Sequence, residues 1–203
     1  MKKWFITCGI VLGMMSSTAW ADARSDLQSR LGKINSFSAS FEQTVTGPSG
    51  AAIQQGEGKL AVTRPNLFRW EAKTPDESLL VTDGKTLWFF NPFVEQVTIS
   101  NLKDATSNTP FVLLTRNNPS DWAKYNITQK GDQFTLKPIK SDGNMKQFDL
   151  TVTPAGVIKG FSVVEMDGQK SQTVLNRFST SAVSKSQFSF TVPKGVEIDD
   201  QRN

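Results

Sequence analysis

The spacing of apolar residues changes early in the chain. Leu27, Leu31 and Ile34 recur at helical intervals, and Ser25 with Gln28 three residues later forms a capping-box pattern, so residues 25–34 are predicted as a short helix. From Phe37 the period drops to two. Phe37, Ala39 and Phe41 alternate with Ser38, Ser40 and Glu42 until Thr46-Gly47-Pro48-Ser49-Gly50 turns the chain. Similar runs near 54–64, 67–73, 78–83, 86–91 and 94–100 predict more strands, with Asp83-Gly84 as a hairpin signal. Thr109-Pro110 then opens a second helix through Phe111-Val112-Leu113-Leu114, and Asn117-Asn118-Pro119 closes it. Strands resume near 123–129, 133–138, 146–153, 157–165, 170–178 and 187–192, punctuated by Gly131-Asp132, Asp142-Gly143-Asn144, Pro154-Ala155-Gly156 and Asp167-Gly168. The tail from Pro193 reads as irregular.

Eleven or twelve short strands joined by tight turns predict a mainly β protein whose neighbouring strands are mostly antiparallel. So many strands in one open sheet accumulate twist and must curl. Two helical segments are too few for a second layer, but they suffice to cross the concave mouth of a curled sheet. The expected result is an apolar hollow under a helical cover.

The first 21 residues stand apart. Lys2 and Lys3, the apolar stretch Trp4–Met15 and the Ala19-Trp20-Ala21 box have the order of a cleaved secretory signal, which leaves 22–203 as a single domain beyond the inner membrane. The net charge is +4, and losing Lys2 and Lys3 halves it, too weak a bias to argue for nucleic acid. The sole cysteine, Cys8, leaves with the signal, so the core has to stabilise the fold without a disulfide. Histidine is absent, which removes histidine-based nucleophilic and general-base chemistry and the common zinc ligand sets. Gly47-Pro48-Ser49-Gly50 lacks the Lys-Ser/Thr of a phosphate loop. Asp76-Glu77 and Asp199-Asp200 read as solvated turn and tail charges. Neither an enzyme nor a metal or cofactor site is expected.

Binding is the better prospect. Fourteen Phe and five Trp stand against one Tyr. Phe68 and Trp70 share one strand face, Trp88 and Phe90 share another, and Phe111 and Phe148 extend the supply, with Leu60 and Val62 on the strand before. These residues serve either a packed core or a cavity for a greasy ligand. Arg64 follows Leu60 and Val62 at the same period, so it either bonds the carbonyls at a helix C-terminus or, with register broken at Pro65, reaches into water.

Arg64-Pro65-Asn66-Leu67-Phe68, Asp76-Glu77-Ser78, Asp83-Gly84-Lys85-Thr86-Leu87-Trp88, Asn91-Pro92-Phe93-Val94-Glu95-Gln96 and Asp199-Asp200-Gln201-Arg202 closely resemble the LolA family, the periplasmic outer-membrane lipoprotein carriers of Gram-negative bacteria. The resemblance covers the whole mature chain and the signal. It implies an unclosed antiparallel half-barrel of about eleven strands with a helical lid over a concave hydrophobic face. It also implies a carrier in the periplasm that takes triacylated lipoproteins from an inner-membrane ABC transporter and hands them to an outer-membrane lipoprotein receptor; a carrier that must offer its cavity mouth to both is expected to be a monomer. By that resemblance Arg64 is the lid latch, with the backbone carbonyls of Leu31, Leu114 and Thr115 as acceptors, and Phe68 serves partner exchange. Leu60, Val62, Trp70, Trp88, Phe90, Phe111 and Phe148 are the lipid-cavity candidates. A periplasmic carrier of free fatty acids or glycolipids, or a chaperone for unfolded outer-membrane proteins, is the alternative.

Overall fold

The structure, a computed structural model, describes residues 18–105, 111–140 and 143–202, and side chains over those ranges from residue 22 onwards apart from 104, 105, 111 and 112. Lys2, Lys3 and the apolar stretch of the predicted signal, the Thr109-Pro110 helix start and Asp142 lie outside the described residues, as does the side chain of Phe111.

Twelve strands make one sheet. They are β1 (Ser36–Thr46), β2 (Ala52–Thr63), β3 (Leu67–Thr74), β4 (Ser78–Asp83), β5 (Thr86–Asn91), β6 (Gln96–Asn101), β7 (Tyr125–Lys130), β8 (Gln133–Pro138), β9 (Met145–Val152), β10 (Ile158–Glu165), β11 (Lys170–Ser179) and β12 (Glu197–Asp200). Their order across the sheet is β12-β6-β5-β4-β3-β2-β1-β11-β10-β9-β8-β7. The sheet is an unclosed half-barrel: β12 and β7 are its two edges and do not pair with each other. Short turns make consecutive strands antiparallel in both halves, with the edge strand β12, parallel to β6, as the exception, and β1 joins the halves by pairing with β2 on one side and β11 on the other.

Four helical segments accompany the sheet: α1 (Thr18–Gly32), α2 (Leu102–Ala105), α3 (Phe111–Arg116) and α4 (Pro119–Trp122). α1 starts before Ser25, so that serine caps nothing, and it stops at Gly32, so Ile34 is buried in the link to β1 rather than on the helix. Its buried stripe is Ala23, Leu27 and Leu31, one position every four residues, and each buried leucine is worth about 1.5–3 kcal/mol. The Asn117-Asn118-Pro119 run ends α3 and also begins α4. The Asn118 side chain accepts from Ser120 N at 3.1 Å, and Pro119 sits in the first turn, where no amide hydrogen is needed.

The C-terminal region departs from the sequence reading. Residues 187–192 do not form a strand; Lys185–Phe188 is a turn of 3-10 helix, and the tail read as irregular supplies β12, parallel to β6. Aromatic content misled there, because Phe188 is buried in packing and not by pairing.

Candidate functional site

Directly opposed residues in paired strands face the same way, so the registers define the two sheet faces. One face carries Phe37, Ala39 and Phe41 of β1, opposite Val62, Leu60 and Gly58 of β2. Val62 and Leu60 in turn oppose Phe68 and Trp70 of β3, and Trp70 opposes Leu80 and then Phe89. In the other half the same face holds Leu175, Phe161, Val163, Phe148, Leu150, Phe134, Leu136 and Ile127. Rings meet along it: Phe41 stacks on Trp70 with centroids 3.7 Å apart, and Phe161 lies 6.3 Å from Trp70 and 6.0 Å from Phe148.

Helices cover part of this inner face. Leu27 and Leu31 of α1, Leu113 and Leu114 of α3 and Trp122 of α4 belong to one buried cluster with Phe37, Val62, Phe68, Phe148 and Leu150. The cover stops short of the far end, where Trp70, Ala72, Leu80, Phe161 and Val163 are half-buried and Phe89 is 44% exposed. The inner face is thus closed at one end and open at the other.

The candidates sort by this geometry. Leu60, Val62, Trp70 and Phe148 face inward. Trp88 and Phe90 do not: they oppose Val81 and Leu79 on the outer face, where Phe190 covers them at 6.5 and 5.6 Å. Val81, Val97, Ile99 and Phe188 complete a second buried patch on that side. The run Leu87-Trp88-Phe89-Phe90 is apolar on both faces, so its phase was not readable, though such a run itself signals a strand covered on both sides. Phe89 is the inward residue that the sequence reading passed over.

Arg64 lies one residue past β2, with its amide donating to Asn35 O at 2.8 Å. Its guanidinium turns under the end of the helical cover, where Nη1 donates to the carbonyl of Ile34. Among the described residues the acceptor is Ile34 O and not the expected Leu31, Leu114 and Thr115, and Ile34 lies in the link, two residues past the end of α1. Nε and Nη2 of Arg64 are buried without a partner. Burial alone pulls the guanidinium down to about 10, so it remains charged at neutral pH. Phe68, expected at an exchange surface, is 2% exposed and lies in the core beneath the cover.

On its other side α1 is fastened many times. Arg24 Nη2 donates to Tyr125 O at 3.0 Å, and Lys33 Nζ donates to Pro154 O at 2.6 Å. Arg30 donates to Asp132 at 2.7 Å and Val152 O at 2.8 Å, pairs with Asp26 at 2.9 Å and lies 5.2 Å over the Phe134 ring. Gly156, at φ +87°, lets the β9–β10 turn approach α1; a Cβ there would sit 2.6 Å from Arg30 O. Asn117 ties the remaining helices in, donating to Gln28 O and accepting from Trp122 Nε1, both at 3.1 Å. A recess of about 530 Å³ opens beside this anchorage, bounded by Asp22, Arg30, Gln129 and Asp132, with Ala23 and Ile127 at the β7 edge also in its lining.

Asp26 reports on that anchorage. Partial burial pushes its carboxyl up, but hydrogen bonds from Arg30 and Gln129 and the Arg30 charge outweigh burial and hold it below the usual carboxylate range. A carboxylate with a lowered folded-state pKa adds stability above about pH 4, and that stability is lost as pH falls through the lowered value. Asp26→Asn is therefore expected to reduce unfolding free energy by up to about 1 kcal/mol at pH 7, solvent screening limiting the pair. Urea denaturation should show the gap closing toward pH 3.

Comparison with known proteins matches this fold and chain to a family. The model of the outer membrane lipoprotein carrier protein LolA matches residues 32–191. The chain belongs to the LolA family. An outer-membrane lipoprotein carrier protein of Yersinia enterocolitica is 57% identical over 202 residues, covering 100% of both chains. One from Yersinia pestis is 56% identical with the same coverage. Among solved structures, an uncharacterized conserved protein of Thermus thermophilus shares the LolA-type fold at 13% identity and a TM-score of 0.56, with 89% of this chain and 99% of that one covered. A chain of the Pseudomonas aeruginosa MucA/MucB complex does so at 15% identity and a TM-score of 0.51, over 84% of this chain and 61% of that one.

Proposed function

We propose that this LolA-family chain, after removal of residues 1–21, carries acylated lipoproteins across the periplasm. It receives them from an inner-membrane ABC transporter and passes them to an outer-membrane receptor. The observation that carries this reading is the inner face itself: broad, rich in Phe, Leu and Trp, covered by helices at one end and open at the other. The full-length identity with named carriers supports it.

The energetics call for such a surface. Each buried methylene is worth about 0.8 kcal/mol, so an acyl chain of about fifteen represents about 12 kcal/mol and three chains about 36 kcal/mol. Free passage through water is prohibitive. Full burial of every chain would also exceed the non-covalent ceiling of about 18–21 kcal/mol, leaving a carrier unable to unload. Partial shelter is the workable compromise. Chains enter at the open end beside Phe89 and Trp70 and run under the cover toward Arg64, whose guanidinium donates to Ile34 O, while Arg24, Arg30 and Lys33 keep α1 on the β7–β10 half. Phe68, beneath the cover, becomes available for exchange only on opening.

Incubating the purified mature chain with inner-membrane vesicles bearing labelled triacylated lipoprotein and the transporter tests the reading. The expected result is a soluble complex that survives gel filtration and loses its lipoprotein to receptor-bearing vesicles. Lipoprotein left on the donor vesicles, with only free fatty acid or glycolipid found in the protein by mass spectrometry, overturns it.

A further inference from the structure

One row of opposed residues on the inner face runs Phe134, Leu150, Phe161, Thr173, Gln43, Gly56 across β8, β9, β10, β11, β1 and β2. Two polar side chains interrupt it, side by side. Thr173 is 1% exposed, and its Oγ1 has no hydrogen-bond partner. A buried hydroxyl without a partner is costly, and valine would fill the same space without that cost. The position is also particular: Leu175, two residues along β11, is buried, whereas Ser171, Gln43, Phe161 and Val163 around Thr173 are half-buried. Thr173 stands where the covered part of the face gives way to the open part.

We propose that Thr173 Oγ1, with the Gln43 carboxamide beside it, forms a hydrogen-bonding site for the acyl carbonyls of ester- or amide-linked lipid. This inference rests on the carrier reading and adds to it a site for the polar linkage. Hydrocarbon offers these groups nothing, whereas each fatty-acyl linkage brings one carbonyl acceptor, to which an amide linkage adds one N–H donor. A hydroxyl donor suits it, and the amide N–H₂ of Gln43 offers a second. Bonding there fixes how deep each chain enters: the carbonyl stops at the Thr173 row and the methylenes continue under the cover.

The test compares two probes on the purified mature chain, a dipalmitoyl-ester lipopeptide and its dialkyl-ether counterpart, by displacement of a fluorescent fatty-acyl reporter. The parent should bind the ester about three- to tenfold more tightly than the ether, the range one or two neutral hydrogen bonds confer. Thr173→Val should bring the ester to the ether's affinity, leave the ether unchanged and melt no lower than the parent, and Thr173→Ser should restore the preference. An unchanged ester-to-ether ratio in Thr173→Val overturns the inference, and so does a lowered melting temperature, which would mean that the hydroxyl is satisfied within the fold. A parent that binds neither probe defeats the carrier reading itself, and the site with it.

Discussion

Arg64→Leu is expected to yield a carrier that loads normally but surrenders lipoprotein to receptor-bearing vesicles at least tenfold more slowly than the parent. Two effects point the same way. In the closed molecule the guanidinium donates to Ile34 O, and a hydrogen bond from a charged donor is worth about 1.5–3 kcal/mol, or a factor of about ten to a hundred, which is forfeited when cargo displaces the guanidinium and regained when the site empties. In the loaded molecule the same charge faces hydrocarbon, and burial already draws it down to about 10 in the empty state. Leucine removes the reward for closing and the penalty for holding cargo, so the balance moves toward retention. The decisive measurement is the transfer rate at saturating receptor, with loading checked separately. A parental rate in Arg64→Leu would show that the Ile34 contact has no part in release.

The second large effect concerns the floor of the face. Gly58→Ala should lower unfolding free energy by about 3 kcal/mol, the upper end of ordinary overpacking, and the melting temperature by roughly 6–12 °C. A Cβ at Gly58 would lie 2.1 Å from Glu71 O and 2.5 Å from Phe41 Cζ. The carbonyl belongs to the paired strand β3 and cannot swing aside. Phe41 can yield only by leaving its stack on Trp70. Near-ultraviolet circular dichroism should therefore lose Trp signal along with stability. Gly47→Ala, whose Cβ would find its nearest neighbour at 3.7 Å without a left-handed backbone, is the control and should match the parent. Equal melting of the two variants would remove the steric argument.

The alternation of Phe37, Ala39 and Phe41 fixed the phase of β1 because one side of that strand stays polar; on β2 the larger Leu60 and Val62 carried the phase although Ala61 between them is buried as well. β5 was illegible for the opposite reason. Its apolar residues point both ways, so choosing between Trp88 and Phe89 required knowing that Phe190 returns to the outside from a hundred residues later. The same distance hid β12, since a four-residue strand beside β6 has no local signature. Arg64 was visible as an anomaly, a charge at the end of an apolar run, but its acceptor depended on the residue at which α1 ends, and helix ends are weakly encoded. Thr173 gave no signal. Threonine is ordinary in strands, and its isolation emerges only when the registers of β1, β10 and β11 are combined.

The central strand is made early and completed last. β1 pairs with β2 almost at once, but its other margin waits for β11, with Ser40 meeting Asn176 across about two-thirds of the chain's length. Such distant pairing is slow. A polypeptide threading across a membrane from its N-terminus would therefore display the Phe37–Phe41 ridge naked until its final third had followed, and the same grease that suits it to its freight would make the unfinished chain prone to clumping.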